Sequence, residues 1–306
     1  MTNATRADNG TLENKLQQLR ASMDKRRADK SPAEKSPPEE AQPVAATPAP
    51  ILNSQVVNLP GWSEHKRAMA NELVRSALFR PESRKKRAYL EDTEIYCYGD
   101  KANITYTGQE LRTDDEDLFC QILHLARSVP LGQPISFTAL QILRALDWDT
   151  NARGYNRLHQ ALKRLTATSL NFASTDRGYS GSLIAEFEWR RRAGVRAKSE
   201  YRIKLWLHPR IRVFFHGYHY TLINWQIRKQ LKPLAKKLHS FYASHRHPYP
   251  VKIETLYKIS GSNTSDPYRF KQMLKEALTQ LQESAFLESF EFADDKVVVK
   301  REFAKD

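Results

Sequence analysis

A chain of 306 residues with 40% hydrophobic and 10% aromatic side chains has material for two domains of ordinary size plus a tail. Lys and Arg outnumber Asp and Glu by 49 to 35, a formal net charge of +14 with a pI near 9.7, and such an excess points to a polyanionic partner, nucleic acid being the commonest. No apolar run approaches the roughly 18 residues of a membrane span, MTNATRADNG lacks a signal-peptide layout, and Cys97 and Cys120 lack CxxC spacing; membrane-spanning, secreted and disulfide-built classes are set aside in favour of a cytoplasmic protein with two buried thiols.

Residues 1 to 60 hold seven of the fifteen prolines and no Phe, Trp or Tyr, so they cannot bury enough apolar surface to offset the entropy of ordering, and a disordered arm is expected. They carry eight basic and seven acidic residues, which leaves nearly all of the net charge on the foldable part. Within the arm, Leu12, Leu16 and Leu19 share one face of a transient or partner-induced helix, and Ser31 to Pro50 reads as an extended linker. Gln55 and Leu59, in QVVNLP, are candidate partner-binding residues; packing of this segment on the first domain is the alternative. EHKRAMANELVRSALF is predicted as a helix, since Met69, Leu73 and Ala77 recur at helical spacing before Pro81. SRKKR, residues 83 to 87, offers cations to phosphates or a solvated turn, and EIYCYGDKANITYTG predicts two short strands around a Gly-Asp turn.

The segment NARGYNRLHQALKRLTATSLNF, starting at Asn151, places Leu158, Ala161, Leu162 and Leu165 on one stripe and Arg153, Asn156, Gln160, Lys163 and Arg164 on the other, with Arg157 beside them. It contains no acidic residue, and Arg, Asn and Gln are the types whose paired donors and acceptors read guanine and adenine edges in a major groove. A DNA recognition helix is therefore expected. Further on, RRRAGVRAKSEYRIK (190 to 204) holds seven cations against one Glu, and Arg190, Arg191, Arg192, Arg196 and Lys198 are the expected phosphate grippers.

From Leu118 onward the apolar skeleton repeats at a spacing of 116 residues, pairing Leu118 with Leu234, Pro134 with Pro250, Phe137 with Ile253, Leu158 with Leu274 and Leu162 with Leu278. Each copy reads helix, Pro turn, short helix, loop, long helix, hairpin. That is the winged helix-turn-helix plan, whose third helix enters the major groove while the wing touches backbone or minor groove. The expected fold is thus α+β: tandem winged helix-turn-helix domains, at 61–215 with an N-terminal extension and at 216–306, behind a disordered arm. In the second copy Arg269 and Gln272 stand 116 residues after Arg153 and Asn156, with Lys275 beside them; Glu276 replaces Gln160, and the wing turn at Asp294 and Asp295 is acidic.

RSALF (75 to 79), ITYTGQELRTDDEDLFCQILHLAR (104 to 127), LKRLTATSLNF (162 to 172) and SFYASHRHPYPVKIET (240 to 255) resemble the TrfA family of broad-host-range plasmid replication initiators, over roughly Trp62 to the C-terminus. The resemblance implies a bacterial protein that binds direct repeats (iterons) of double-stranded origin DNA as a monomer and opens an adjacent AT-rich region. It also implies recruitment of host DnaA, the DnaB helicase and the polymerase sliding clamp, an inactive homodimer, and copy-number control by pairing of bound initiators. The family carries a clamp-binding peptide of the QLSLF kind shortly before the tryptophan; here NSQVVNLPGW lacks the terminal Leu-Phe pair.

No cofactor, metal site or catalytic residue is expected. A rolling-circle nickase needs a His-hydrophobic-His pair and a nucleophilic Tyr, and the nearest candidates are His245 and His247 with Tyr242 or Tyr249, interrupted by Arg246, and the misspaced His216 and His219. There is no GxxxxGK[ST] segment for ATP-driven melting. A transcriptional regulator of the same fold stays open as the alternative to an initiator.

Overall fold

A computed structural model describes residues 58–81, 86–99, 102–192, 200–215, 217 and 219–301. The expected disordered arm lies outside these residues except for its last three, of which Leu59 is buried in the first core.

The N-terminal extension departs from expectation. Instead of one helix, β1 (Lys66–Ala70) pairs antiparallel with β11 (Tyr220–Asn224), and only α1 (Asn71–Val74) is helical. Arg67, Ala68, Met69 and Ala70 are all buried, so this strand is covered on both faces and shows no alternation. The helical spacing of Met69, Leu73 and Ala77 arises because the last two follow the strand on different elements. After the short β2 (Phe79–Arg80), which pairs in parallel with β5 (Leu111–Arg112), β3 (Tyr89–Ile95) and β4 (Ala102–Gln109) form the expected antiparallel pair. Unforeseen partners extend it: β7 (Ser169–Ser174) and β8 (Gly178–Gly181) complete a sheet in the order β3-β4-β7-β8.

The two stretches expected as copies run through the same order of elements. Copy one runs α2 (Thr113–Ala126), β6 (Ile135–Thr138), α3 (Ala139–Ala145), α4 (Ala152–Thr166), β9 (Glu186–Arg192) and β10 (Glu200–Trp206). After α5 (Trp225–Gln230), copy two runs α6 (Pro233–Ala243), β12 (Val251–Lys252), α7 (Ile253–Ser260), α8 (Pro267–Glu283), β13 (Ser289–Ala293) and β14 (Lys296–Lys300). Strand orders match as well, β6-β10-β9 against β12-β14-β13. Each Pro turn leads into a short strand before its short helix, and the first of these helices starts from a capping box in which Thr138 and Gln141 exchange side-chain and backbone hydrogen bonds. The copies differ where β7 and β8 interrupt the first between its long helix and its hairpin.

Two apolar cores result. Leu118, Ile122, Leu143, Leu158 and Leu162 belong to the first, and Leu238, Phe241, Leu274, Leu278 and Val297 to the second. Each fully buried leucine contributes about 1.5–3 kcal/mol. The first core runs on as far as Trp225 and the second takes up at Leu231, because β11 pairs with β1 and the Trp225 indole donates to the Ala145 carbonyl at 3.1 Å. Among the described residues no helix is long and apolar enough to cross a membrane.

Candidate nucleic-acid interface

Helix α4 begins where Asn151 caps it, its side-chain oxygen accepting from the Gly154 amide at 3.1 Å. At Gly154 the helix lies so close to the preceding turn that a Cβ would stand 1.6 Å from the Asp149 carbonyl oxygen, so only glycine permits this approach. Leu158, Ala161, Leu162 and Leu165 are buried in the first core, which turns Arg153, Asn156, Gln160 and Lys163 outward into solvent. The outward face carries cations and amides with no carboxylate.

Two cations expected on this face are held by the acidic start of α2. Arg164 is partly buried, with both Nε (3.1 Å) and Nη2 (2.7 Å) donating to Asp115, and it braces α4 against α2. Arg157 is engaged but accessible, its guanidinium 3.9 Å above the Trp148 ring, 3.5 Å from Asp114, and its side chain 46% exposed. Arg87, the described end of the SRKKR run with Lys86, binds Asp114 at 2.9 Å and Asp115 at 2.6 Å and so serves neither phosphate nor a solvated turn; residues 82–85 lie outside the described residues. Burial works to raise the Asp114 pKa, but Arg87 and then Arg157 and Arg164 outweigh it and hold the carboxyl below its usual range.

The hairpin β9-β10 splits Arg190 and Arg191 between its faces, because successive side chains of a strand point oppositely. Arg190 and Arg191 are exposed; Arg192 pairs through its backbone with Glu200, while Arg196 and Lys198 fall in 193–199, outside the described residues. Arg190 stands directly across from Arg202, which stands across from Thr138 of β6, beside a shallow cavity of about 790 Å³. Lys204 lies 3.6 Å from Glu188 on the next rung.

Sequence reasoning missed the aromatic joint between α4 and this hairpin. The His159 ring packs edge-on against Trp189 (centroids 4.7 Å) and Phe187 (5.8 Å), and its Nδ1 lies 3.2 Å from the Tyr201 hydroxyl. Burial and then Lys163 lower the His159 pKa, which favours the neutral ring. Alternation in EFEWRR could have shown Phe187 and Trp189 on one face, but not which helix they meet.

Copy two builds a corresponding surface. Asp266 caps α8 by accepting from the Tyr268 amide at 2.9 Å, Pro267 opens the helix, and Phe270, Leu274, Ala277, Leu278 and Leu281 are buried. Arg269, Gln272, Lys275 and Glu276 are exposed opposite them, and Tyr268 at the helix start is 82% exposed. The turn of its hairpin carries Asp294 and Asp295.

Leu59 is 5% exposed and packs among first-core side chains; Gln55 lies outside the described residues. Tyr242 is fully buried and cannot present its hydroxyl to a DNA strand, and the His245 ring packs edge-on against Tyr98 and tilted against Phe241, with Nδ1 at 2.8 Å from the Phe241 carbonyl. His216 is outside the described residues, and among those described no three His, Cys, Asp or Glu side chains gather as a metal site. Both cysteines are free thiols, and burial pushes both up, Cys97 to about 11.

The family described as TrfA protein matches residues 47–301. The plasmid replication initiator protein TrfA of Escherichia coli is 36% identical over 244 residues, covering 78% of this chain, and the chain spans 63% of that relative's length. Among solved structures, domains 2 and 3 of RctB align over 76% of this chain and 98% of theirs, at 13% identity and a TM-score of 0.51, a likeness of fold. The Pi initiator protein in complex with iteron DNA aligns over 62% of this chain and 94% of its own, at 11% identity and a TM-score of 0.46. With the family model covering most of the chain, the protein belongs to the TrfA family.

Proposed function

We propose that the protein initiates plasmid replication by binding direct repeats in double-stranded origin DNA as a monomer. On this reading the two copies are winged helix-turn-helix modules, α4 and α8 lie in neighbouring major grooves about one helical turn apart, and the first hairpin grips phosphate. The observation that carries it is the carboxylate-free outward face of α4, with Arg153, Asn156, Gln160 and Lys163 exposed above a leucine-lined buried face, and with Arg269, Gln272 and Lys275 presented likewise on α8. The curated relative's name, plasmid replication initiator, agrees with this use.

The initiator acts through binding, without cofactor, metal or covalent chemistry of its own. Bending at flexible steps beside the repeats supplies the strain that opens an AT-rich region. Host DnaA, the DnaB helicase and the sliding clamp are then the partners, a homodimer is the form inactive in opening, and pairing of bound monomers limits copy number in the bacterial cytoplasm.

Selection of binding sites from random duplex DNA, followed by sizing of the complex, tests this. A selected site with two half-sites about 10 base pairs apart, bound by one chain and able to maintain a plasmid when directly repeated, is expected. Recovery of no preferred sequence, or a nicked strand in the product, contradicts it.

A further inference from the structure

The two cores are joined through buried charge. At the crossing of the first helices of the two copies, α2 and α6, the fully buried Arg228 of α5 donates from Nε to Asp117 at 2.5 Å and from Nη1 to the Ser240 hydroxyl at 2.5 Å. Its Nη2 faces Glu116 at 3.0 Å, an ion-pair contact outside hydrogen-bond alignment. Lys236 of α6 takes the second oxygen of Asp117, and the Ser240 hydroxyl in turn reaches Glu116 at 3.2 Å. One turn away the fully buried Lys237 donates to the carbonyls of Val74 and Ser76, so the N-terminal extension is tied to copy two through the same helix.

An apolar interface would tolerate sliding and small rotations, because hydrophobic burial is non-directional. A planar guanidinium held by two carboxylates and a hydroxyl has one good arrangement, and every displacement leaves a buried charge without its partner. We infer that this network, centred on Arg228 with Glu116 and Asp117, is a spacing gauge: it holds the reading helices α4 and α8 at one separation and rotation, so that the chain selects the distance between half-sites as well as their sequence. The inference rests on the proposed reading of α4 and α8 as groove-entering helices. Arg228, Asp117 and Glu116 touch no nucleic acid in this scheme; they are positioning residues.

The test compares the selected site with versions carrying one or two extra base pairs between the halves, and with versions in which one half is scrambled. The full chain is titrated as wild type, Arg228→Gln and Lys236→Gln. In the wild type an inserted base pair forbids simultaneous engagement and lowers affinity by about 100-fold or more. Arg228→Gln is expected to bind each single half within about threefold of wild type, yet to lose less than about tenfold on insertion, because each module then seats independently. Lys236→Gln, which removes only the outermost charge of the network, is expected between the two, and it decides the matter by the same criterion should Arg228→Gln fail to fold. Equal spacing discrimination in wild type and variants with intact half-site binding overturns the gauge and leaves the DNA-reading proposal standing. A wild type without preference for any duplex overturns both.

Discussion

Gly154→Ala sets two effects of opposite sign against each other. Helix propensity alone predicts that alanine in place of glycine stabilises α4 by roughly 0.5–1 kcal/mol. The structure predicts the reverse. A Cβ at residue 154 would lie 1.6 Å from the Asp149 carbonyl oxygen, whereas real Cβ atoms essentially never approach a neighbour within 3.0 Å, so helix and turn must separate by about 1.4 Å. The obstacle is backbone on both sides, and Asn151, the cap that binds the Gly154 amide, moves with the turn. Overpacking of this kind costs about 1–3 kcal/mol, more than the propensity gain, so a net destabilisation of about 0.5–2 kcal/mol is expected in urea unfolding. Displacement of Arg153 and Asn156 by an ångström also spoils bidentate contacts, so discrimination between specific and random duplex should fall by at least tenfold while binding to random duplex changes little. A variant more stable than wild type with unchanged discrimination would refute the reasoning about the α3–α4 turn.

Arg153→Ala and Asn156→Ala should each relax sequence discrimination by about 1–3 kcal/mol in competition binding; equal losses on all sequences would show that they only hold phosphate. Arg190→Ala and Arg191→Ala should weaken binding to every sequence alike and flatten the slope of log affinity against log salt by about one for each phosphate no longer held; an unchanged slope would place the hairpin off the DNA. Asp115→Ala leaves Arg87 and Arg164 without their buried carboxylate and should cost about 3–5 kcal/mol in urea unfolding, whereas unchanged stability would return Arg164 to the set of available cations. Stability should fall as pH is lowered from 6.5 towards 4. His124 accepts from the Trp62 indole at 3.0 Å, and burial followed by Arg67 lowers its pKa from 6.5 to about 4, so the unfolded chain takes up a proton over that range that the folded chain refuses. His239 and His245, also lowered chiefly by burial, act with the same sign, and His124→Gln should reduce the slope of unfolding midpoint against pH without abolishing it.

Periodicity made the two long helices legible because each combines an uninterrupted apolar stripe with an outward polar face, and the 116-residue repeat tied their contexts together. What escaped was set by distant partners. β1 is a strand because a segment some 150 residues later pairs with it, and its unbroken buried run mimics a helix at Met69 and Leu73. Arg164 looks like its neighbour Lys163 on a helical projection; only the approach of α2 brings Asp115 beneath it. Leu59 sits in a Pro- and polar-rich context typical of linkers, yet the first core accepts it. β7 and β8 were hidden because SLNFAS continues the preceding helix without a Pro or Gly stop, and the strand that β7 joins, β4, precedes the first copy altogether, with β8 following on the far side of β7. The charge joint at Arg228 leaves no periodic signature, since it draws on α2, α5 and α6 at once.

On the proposed reading α4 and α8 both enter grooves of one duplex. This is tested most directly by tethering an iron-EDTA cleavage reagent at Asn156→Cys and, separately, at Gln272→Cys, the native thiols being poorly reactive since Cys120 is buried and Cys97 titrates only at about 11. Mapping the cuts on the selected site should give one cluster from each position, about 10 base pairs apart on the same side of the helix. Cuts from position 156 alone, or coincident clusters from both, would contradict the account.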